Sequence, residues 1–365
     1  MHIALILTSR CTARCTHCSA SCSPERTDAL LPAHVERLMN EAALIDDGED
    51  LHFDITGGEP FMDFEQLHAA IAHAGKLGGG VSCVTNAFWA RTDAIATEKL
   101  TRLRDAGLEL LSVSVSRFHE RYVPLTSVRR ALSVAAHLGI ETELKGAITR
   151  RDLADDGIVA KWEQTLDADQ ICIFPVIPYL RSDAPPLPDD EYYREPGLPK
   201  GRCPSEIITI ETNGTASSCC GQSPEPGFLR IGDTNHESLA VIHERFRHAR
   251  RQRILRRHGP IAFARRAIEA GYGHLLRDAY GGPCDLCIQI GSTPELRRIA
   301  DEMSAPDGPD MTTTTTNKRR TPVIDMKTVK KNSSGKKKKG KKKKGFKPGM
   351  KTVRKNSSKP AGTGA

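Results

Sequence analysis

Apolar positions in the first half of the chain alternate between two spacings. Short apolar or every-second-residue runs at 2–7, 51–56, 80–85, 109–115, 141–148 and 170–176 predict six strands. Between them, apolar residues recur three and four apart, as in Val35, Leu38, Met39, Ala42 and Leu44. That spacing predicts helices over 33–45, 64–77, 91–106, 125–138 and 152–163. Pro32 stands where the first helical turn tolerates proline. Strands separated by single helices predict an α/β class with parallel pairing and right-handed crossovers. In such sheets ligands sit beyond the carboxyl ends of the strands. The run Pro175 to Pro204 is rich in proline and acidic residues and reads as a connector, centred on 181–202. Beyond it, Ile207–Ile210 followed by Thr212-Asn213-Gly214 predicts a β-hairpin, and basic helical segments run from about 236 to 279.

Charge divides the chain further. The net charge of +8 conceals two opposite parts: residues 305–365 hold 19 Lys+Arg against 3 Asp+Glu, and the rest holds 34 against 42. From 305 onward hydrophobic residues nearly vanish, and the lysine blocks 336–339 and 341–344 predict a disordered tail. Met326-Lys-Thr-Val-Lys-Lys-Asn-Ser-Ser334 recurs there as Met350-Lys-Thr-Val-Arg-Lys-Asn-Ser-Ser358. Three uses of the tail stay open: salt-sensitive attachment to nucleic acid, docking of an acidic peptide, or simple solvation. Phe346 is its lone aromatic, so base stacking adds little. No apolar run has membrane-spanning length or a signal-peptide layout. Eleven cysteines, an odd number and mostly clustered, suit metal binding in a reducing compartment, so a cytoplasmic location is expected.

The clusters carry the chemistry. Cys11-Thr-Ala-Arg-Cys15-Thr-His-Cys18 follows the first strand directly. Its C-x3-C-x2-C spacing puts three thiolates on one loop, enough for three corners of an iron–sulfur cube whose fourth iron stays open. A structural zinc knot completed by Cys22 is the alternative. After the second strand comes Gly57-Gly58-Glu59-Pro60, in which glycines permit close backbone approach before a carboxylate.

Together these two strings resemble the radical SAM enzymes. The resemblance implies a partial (β/α)6 barrel over 1–180, in which Cys11, Cys15 and Cys18 hold a [4Fe-4S] cluster bound to S-adenosyl-L-methionine. It sets His17 beside the adenine and the Gly57, Gly58, Glu59 and Pro60 string at the methionine amino group. It places Asn86, Ser114 and Ser116 near the ribose and carboxylate, although many relatives carry aspartate where Ser116 stands. Lys145 is a further candidate, facing the interior to pair with the cofactor carboxylate. Arg117 and His119 read equally as functional or as a solvated strand end.

Cys203-x10-Gly214-x4-Cys219 and Cys284-x2-Cys287 resemble the auxiliary-cluster domain of these enzymes, called SPASM or, when shortened, twitch. The implied layout after the barrel is a connector, a small α+β domain over 203–304 holding one auxiliary [4Fe-4S] cluster, and the disordered tail. Whether Cys219 or Cys220 ligates stays open, as does a four-cysteine zinc site. Cys83 and Cys172 are expected to be buried and inert, and Cys22 has no evident partner.

The implied activity is cleavage of S-adenosylmethionine to a 5′-deoxyadenosyl radical and hydrogen abstraction from a ribosomally made peptide, giving a crosslink, thioether or epimerised residue. An electron donor such as flavodoxin or ferredoxin is implied. Because the chain opens on its first barrel strand, capture of a peptide leader is expected to fall to a separate peptide-recognition protein or to the C-terminal region. A small-molecule radical dehydrogenase is the alternative enzyme, and a zinc-stabilised nucleic-acid-binding protein the alternative of another class.

Overall fold

Ile3, Leu5, Phe53, Ile55, Val81, Leu111, Val113 and Leu144, from neighbouring strands, have no exposed surface and pack under a layer of helices. The computed structural model that shows this describes residues 1–45, 50–154, 158–178, 187–203, 205–221, 227–305 and 351–354. Its first half runs β1 (His2–Ile6), α1 (Pro32–Ala43), β2 (His52–Thr56), α2 (Phe64–Lys76), β3 (Gly80–Thr85) and α3 (Asp93–Asp105). It continues with β4 (Leu110–Val115), α4 (Leu125–His137), β5 (Glu141–Ile148), α5 (Arg150–Ala154), α6 (Ile158–Thr165) and β6 (Gln170–Pro175). Strands β1 to β6 are parallel and adjacent in chain order, the expected α/β arrangement.

Local signals explain the elements. Asp63 caps α2 by accepting from Gln66 N, and Thr92 caps α3 by accepting from Ile95 N. Helix α1 ends at Ala43, so Leu44 is not part of its buried face and stands 84% exposed. The single helix expected over 152–163 is two, α5 and α6, with 155–157 outside the described residues. Trp162 on α6 is fully buried and donates its indole N–H to Glu120 at 3.0 Å. Because strand side chains alternate, the face opposite the helices carries Asp54, Thr56, Ser82, Ser112, Ser114, Glu143 and Lys145. The barrel lining therefore sets these polar groups among apolar ones such as Ile6, Val84 and Phe174.

The remaining elements are β7 (Glu195–Pro196), β8 (Ile208–Ile210), β9 (Thr215–Ser217), β10 (Arg230–Asp233), α7 (Leu239–His248), α8 (Arg250–His258) and α9 (Ile261–Glu269). After them come β11 (Ala279–Tyr280), α10 (Pro283–Ser292), α11 (Pro294–Ser304) and β12 (Lys351–Arg354). The hairpin forms as expected, but not apart from the barrel: β8 pairs in parallel with β1, and β9 and β10 continue the same sheet. Helices α8 to α11 build a second core around Phe228, Phe263, Leu286, Leu296 and Ile299.

Within the segment expected to be disordered, β12 pairs antiparallel with β6, Thr352 opposite Cys172. An exposed edge strand offers unpaired backbone groups, which an extended segment satisfies. β12 falls in the second copy of the repeat. The first copy and the lysine blocks lie outside the described residues.

Candidate active site

The cysteine loop leaves the carboxyl end of β1 and is fastened backbone to backbone against the turn after β2. Gly58 N donates to Thr8 O at 2.6 Å and Glu59 N to Arg10 O at 2.9 Å. A Cβ on Gly58 would stand 2.2 Å from Arg10 O, and one on Gly57 2.6 Å from Thr8 O. The close approach that these glycines permit is thus to the cysteine loop itself.

Glu59 is wholly buried and its carboxylate is already engaged. It accepts from Phe61 N at 3.2 Å, Thr85 Oγ1 at 2.7 Å and Asn86 N at 2.7 Å. Burial pushes its carboxyl up to about 7, against those hydrogen bonds. Here it ties the end of β3 to the loop. Asn86, so held, turns its side-chain amide to Cys11 Sγ at 3.7 Å and Thr12 Oγ1 at 3.2 Å. Pro60 opens a short 3-10 turn over Pro60–Asp63, and Phe61 from it stacks on Trp89 with ring centroids 4.1 Å apart.

Cys11, Cys15 and Cys22 are buried and Cys18 half-buried. Burial raises the Cys11 thiol to about 11. Cys15 Sγ donates to Phe118 O at 3.8 Å. Cys22, without a partner in the sequence pattern, hydrogen-bonds Cys18, and that contact with burial drives its thiol far above the usual range. His17 lies against Phe118 with ring centroids 4.7 Å apart and meets His119 edge-on at 5.2 Å.

The fourth strand ends in a turn built on Ser116, whose Oγ accepts from Phe118 N and His119 N, both at 3.2 Å. His119, lowered to about 4 by burial, is neutral, and its Nδ1 lies 2.8 Å from the same hydroxyl. Ser116 therefore shapes the turn that carries Phe118 to the cysteines. Ser114 sits half-buried on the barrel lining opposite Lys145 in register. Lys145 pairs with Glu143 at 3.2 Å, and Glu143 also accepts from Ser112 at 2.6 Å.

Two groups have no motif in the sequence. Arg117 pairs with Glu191 and with Asp152, the latter at 3.6 Å. Glu191 belongs to the connector, and next to it Tyr192 joins one buried cluster with Cys11, Cys15, Cys22 and Phe118. The connector is thus a cover for the cysteine loop; among its residues, 179–186 lie outside the described ones. Only its proline-rich composition was visible in sequence, and that carries no contact information.

In the second core, Cys203, Cys219, Cys284 and Cys287 line one apolar cavity with Phe228, Leu229, Leu255, Pro260, Pro283 and Ile288. Cys220 is exposed and does not line it. Burial, then the neighbouring thiols, pushes Cys284 up to about 12 and raises Cys219 and Cys287 well above the usual thiol range. Cys284 and Cys287 sit in the first two turns of α10, and between them Asp285 is fully buried and held by Arg277 at 2.5 Å and Gly281 N at 2.8 Å.

Among the described residues no three thiols have their sulfurs all within 4.8 Å of one another. A tetrahedral zinc–thiolate site brings sulfurs to about 3.8 Å.

Residues 5–138 match the radical SAM superfamily. The curated Bacillus subtilis (strain 168) protein named "Putative peptide biosynthesis protein YydG" is 23% identical over 221 residues, covering 60% of this chain and 68% of that protein. Two solved structures share the fold. Native anSMEcpe with bound AdoMet gives a TM-score of 0.50 at 14% identity, covering 67% of this chain and 81% of that one. The histidine-tagged form of anSMEcpe with bound AdoMet gives 0.50 at 13%, covering 67% and 78%. Among the described residues no helix is long and apolar enough to cross a membrane.

Proposed function

We propose that this chain, with its radical SAM domain over residues 5–138, is a radical enzyme that modifies a peptide. The observation that carries the proposal is the assembly at the carboxyl ends of β1 to β3: three thiols on one loop, fastened to Gly58 and Glu59 and touched by Asn86. Cys11, Cys15 and Cys18 would hold a [4Fe-4S] cluster at three corners. Reduced by an external electron donor and carrying S-adenosyl-L-methionine, that cluster would supply a 5′-deoxyadenosyl radical for hydrogen abstraction.

The protein's own part is orientation and shelter. Glu59 fixes β3 to the loop, so that Asn86 reaches Cys11. The Ser116 turn brings Phe118 and His17 together at the rim, where an adenine would stack. Tyr192 and the Arg117–Glu191 pair close the loop from the connector side and exclude water. On β4 and β5, Ser114 and Lys145 face the lining, where substrate or cofactor carboxylate would pair with Lys145 in competition with Glu143.

A peptide as substrate is supported by the name of the Bacillus subtilis relative. The polar groups of the barrel lining offer hydrogen bonds to a backbone. Crosslink, thioether and epimerisation are each compatible with this site, and an electron donor such as flavodoxin would serve all three. Four cysteines around one cavity support an auxiliary cluster that would take up the electron released when the substrate radical is oxidised in forming a crosslink or thioether. The test is anaerobic turnover with reductant, S-adenosylmethionine and candidate peptides deuterated at Cα or Cβ. Deoxyadenosine carrying deuterium from the peptide is the expected product. Deoxyadenosine labelled from a small alcohol or sugar, but from no peptide, would transfer the proposal to a dehydrogenase.

The second core gives a separate prediction. Cys219→Ala should lower iron from about eight to about four per chain after reconstitution, whereas Cys220→Ala should leave it unchanged, as iron analysis would show. Equal loss in both would place Cys220 among the ligands.

A further inference from the structure

At the other end of the barrel strands, three metal-binding side chains converge that the proposed activity does not use. We propose that His2, His52 and Asp54 bind one divalent first-row ion of the zinc class at the amino-terminal end of β1 and β2. This goes beyond the radical reading and holds whatever the substrate.

Strand geometry makes the cluster. His2 and His52 are direct partners in the parallel register, and Ala4 faces Asp54. Residues two apart on β2 share a face, so His52 and Asp54 point the same way as His2. The two imidazoles meet edge to face with centroids 4.8 Å apart. Between them lies the Asp54 carboxylate, Oδ2 at 2.9 Å from His2 Nε2 and Oδ1 at 3.4 Å from His52 Nε2. One donor atom from each residue falls within 4.8 Å of the others. Bonds of about 2.0–2.1 Å in a tetrahedral site put donors roughly 3.4 Å apart, so modest rotations suffice.

The surroundings support the site. Ser82 on β3 donates to Asp54 Oδ1 and fixes the carboxylate, as outer partners do in metal sites. Gly80 faces His52 across β2 and β3, and a Cβ there would stand 2.7 Å from His52 Nδ1. The ring needs that space. Burial alone would push the Asp54 carboxyl up, but hydrogen bonds from His2, His52 and Ser82 outweigh it and hold it well below the usual range. Side-chain exposures of 41% for His2, 32% for His52 and 26% for Asp54 leave an entry path. Two imidazoles and a carboxylate suit zinc, cobalt or iron(II) better than magnesium or calcium, and leave a fourth position for water or a carboxylate.

The experiment uses the full chain with its thiols first filled by iron and sulfide. Zinc chloride is added, free metal is removed, and zinc and iron are counted by mass spectrometry. One zinc per chain is expected in the wild type, falling at least about tenfold in His52→Ala and Asp54→Asn with iron unchanged. No retained zinc in the wild type, or zinc retained by both variants, overturns the proposal. Should either variant lose iron or fold, the wild type decides alone. Zinc should then protect His2 and His52 from diethyl pyrocarbonate at least about fivefold while exposed His236 and His248 react as before. Equal reactivity with and without zinc overturns the proposal.

Discussion

Alanine at Cys11, Cys15 and Cys18 together is expected to remove deoxyadenosine formation, by more than about a thousandfold, while the protein keeps about four irons per chain. The physical reason is separation. The loop thiols pack with Phe118, Tyr192 and Val176, whereas the second set sits in a core built by Phe228, Phe263 and the helices from α8 to α11. Emptying one set leaves the other's apolar cavity and its Asp285–Arg277 anchor in place.

The informative companion is Cys22→Ala. Cys22 is buried and hydrogen-bonded to Cys18, so a closed four-thiol zinc site would need it as much as any other ligand. A cluster with an open iron does not. Activity within a few-fold of wild type is therefore expected for Cys22→Ala, measured as deoxyadenosine per iron-loaded chain. Loss equal to that of Cys18→Ala would make Cys22 a fourth thiol that the loop requires, against three ligands and an open iron.

The barrel half was legible because each strand had one apolar and one polar face and each helix one stripe. Period 2 and period 3.6 are both written in local sequence. Helix ends were less legible where packing decided them, as at Leu44, which continues the apolar spacing yet lies past the last turn. The sheet partner of the auxiliary segment was not legible, for a different reason. Its cysteine spacing is local, but the pairing of β8 with β1 joins residues about two hundred positions apart, and nothing in Ile208–Ile210 names its partner.

The site shows the same division. Loop thiols and glycines announce themselves by spacing. Glu59 belongs to the string expected at the methionine amino group, and in the fold its carboxylate accepts from Phe61, Thr85 and Asn86, partners that only the folded register of β2 and β3 reveals. Tyr192 and Glu191 went unseen because long-range cover depends on where a proline-rich segment lands, and composition does not carry that.

Gly58→Ala is expected to cost roughly 3–5 kcal/mol and to empty the loop of iron while sparing the second set. Gly58 does not have the positive φ that glycine alone adopts freely, so backbone preference is not the cause. The added methyl would meet Arg10 O at 2.2 Å, Arg10 C at 2.6 Å and Ser9 C at 2.9 Å, all backbone atoms. None can swing aside as a side chain would. Relief requires the loop to lift away, which breaks the bonds from Gly58 N to Thr8 O and from Glu59 N to Arg10 O. Two hydrogen bonds of about 1 kcal/mol each and an overpacking strain of about 1–3 kcal/mol make up the total. Gly78→Ala separates the two effects. Gly78 has φ +75° with nothing within 4 Å of an added Cβ, so its cost of about 1–2 kcal/mol is conformational alone. Denaturant unfolding and iron analysis of both variants decide the matter. If Gly58→Ala unfolds no earlier than Gly78→Ala and still loads the loop with iron, the backbone fastening is not what holds the thiols in place. If it unfolds earlier and loses only the loop iron, Gly58 is in this fold a packing requirement of the cysteine loop, whatever else it touches.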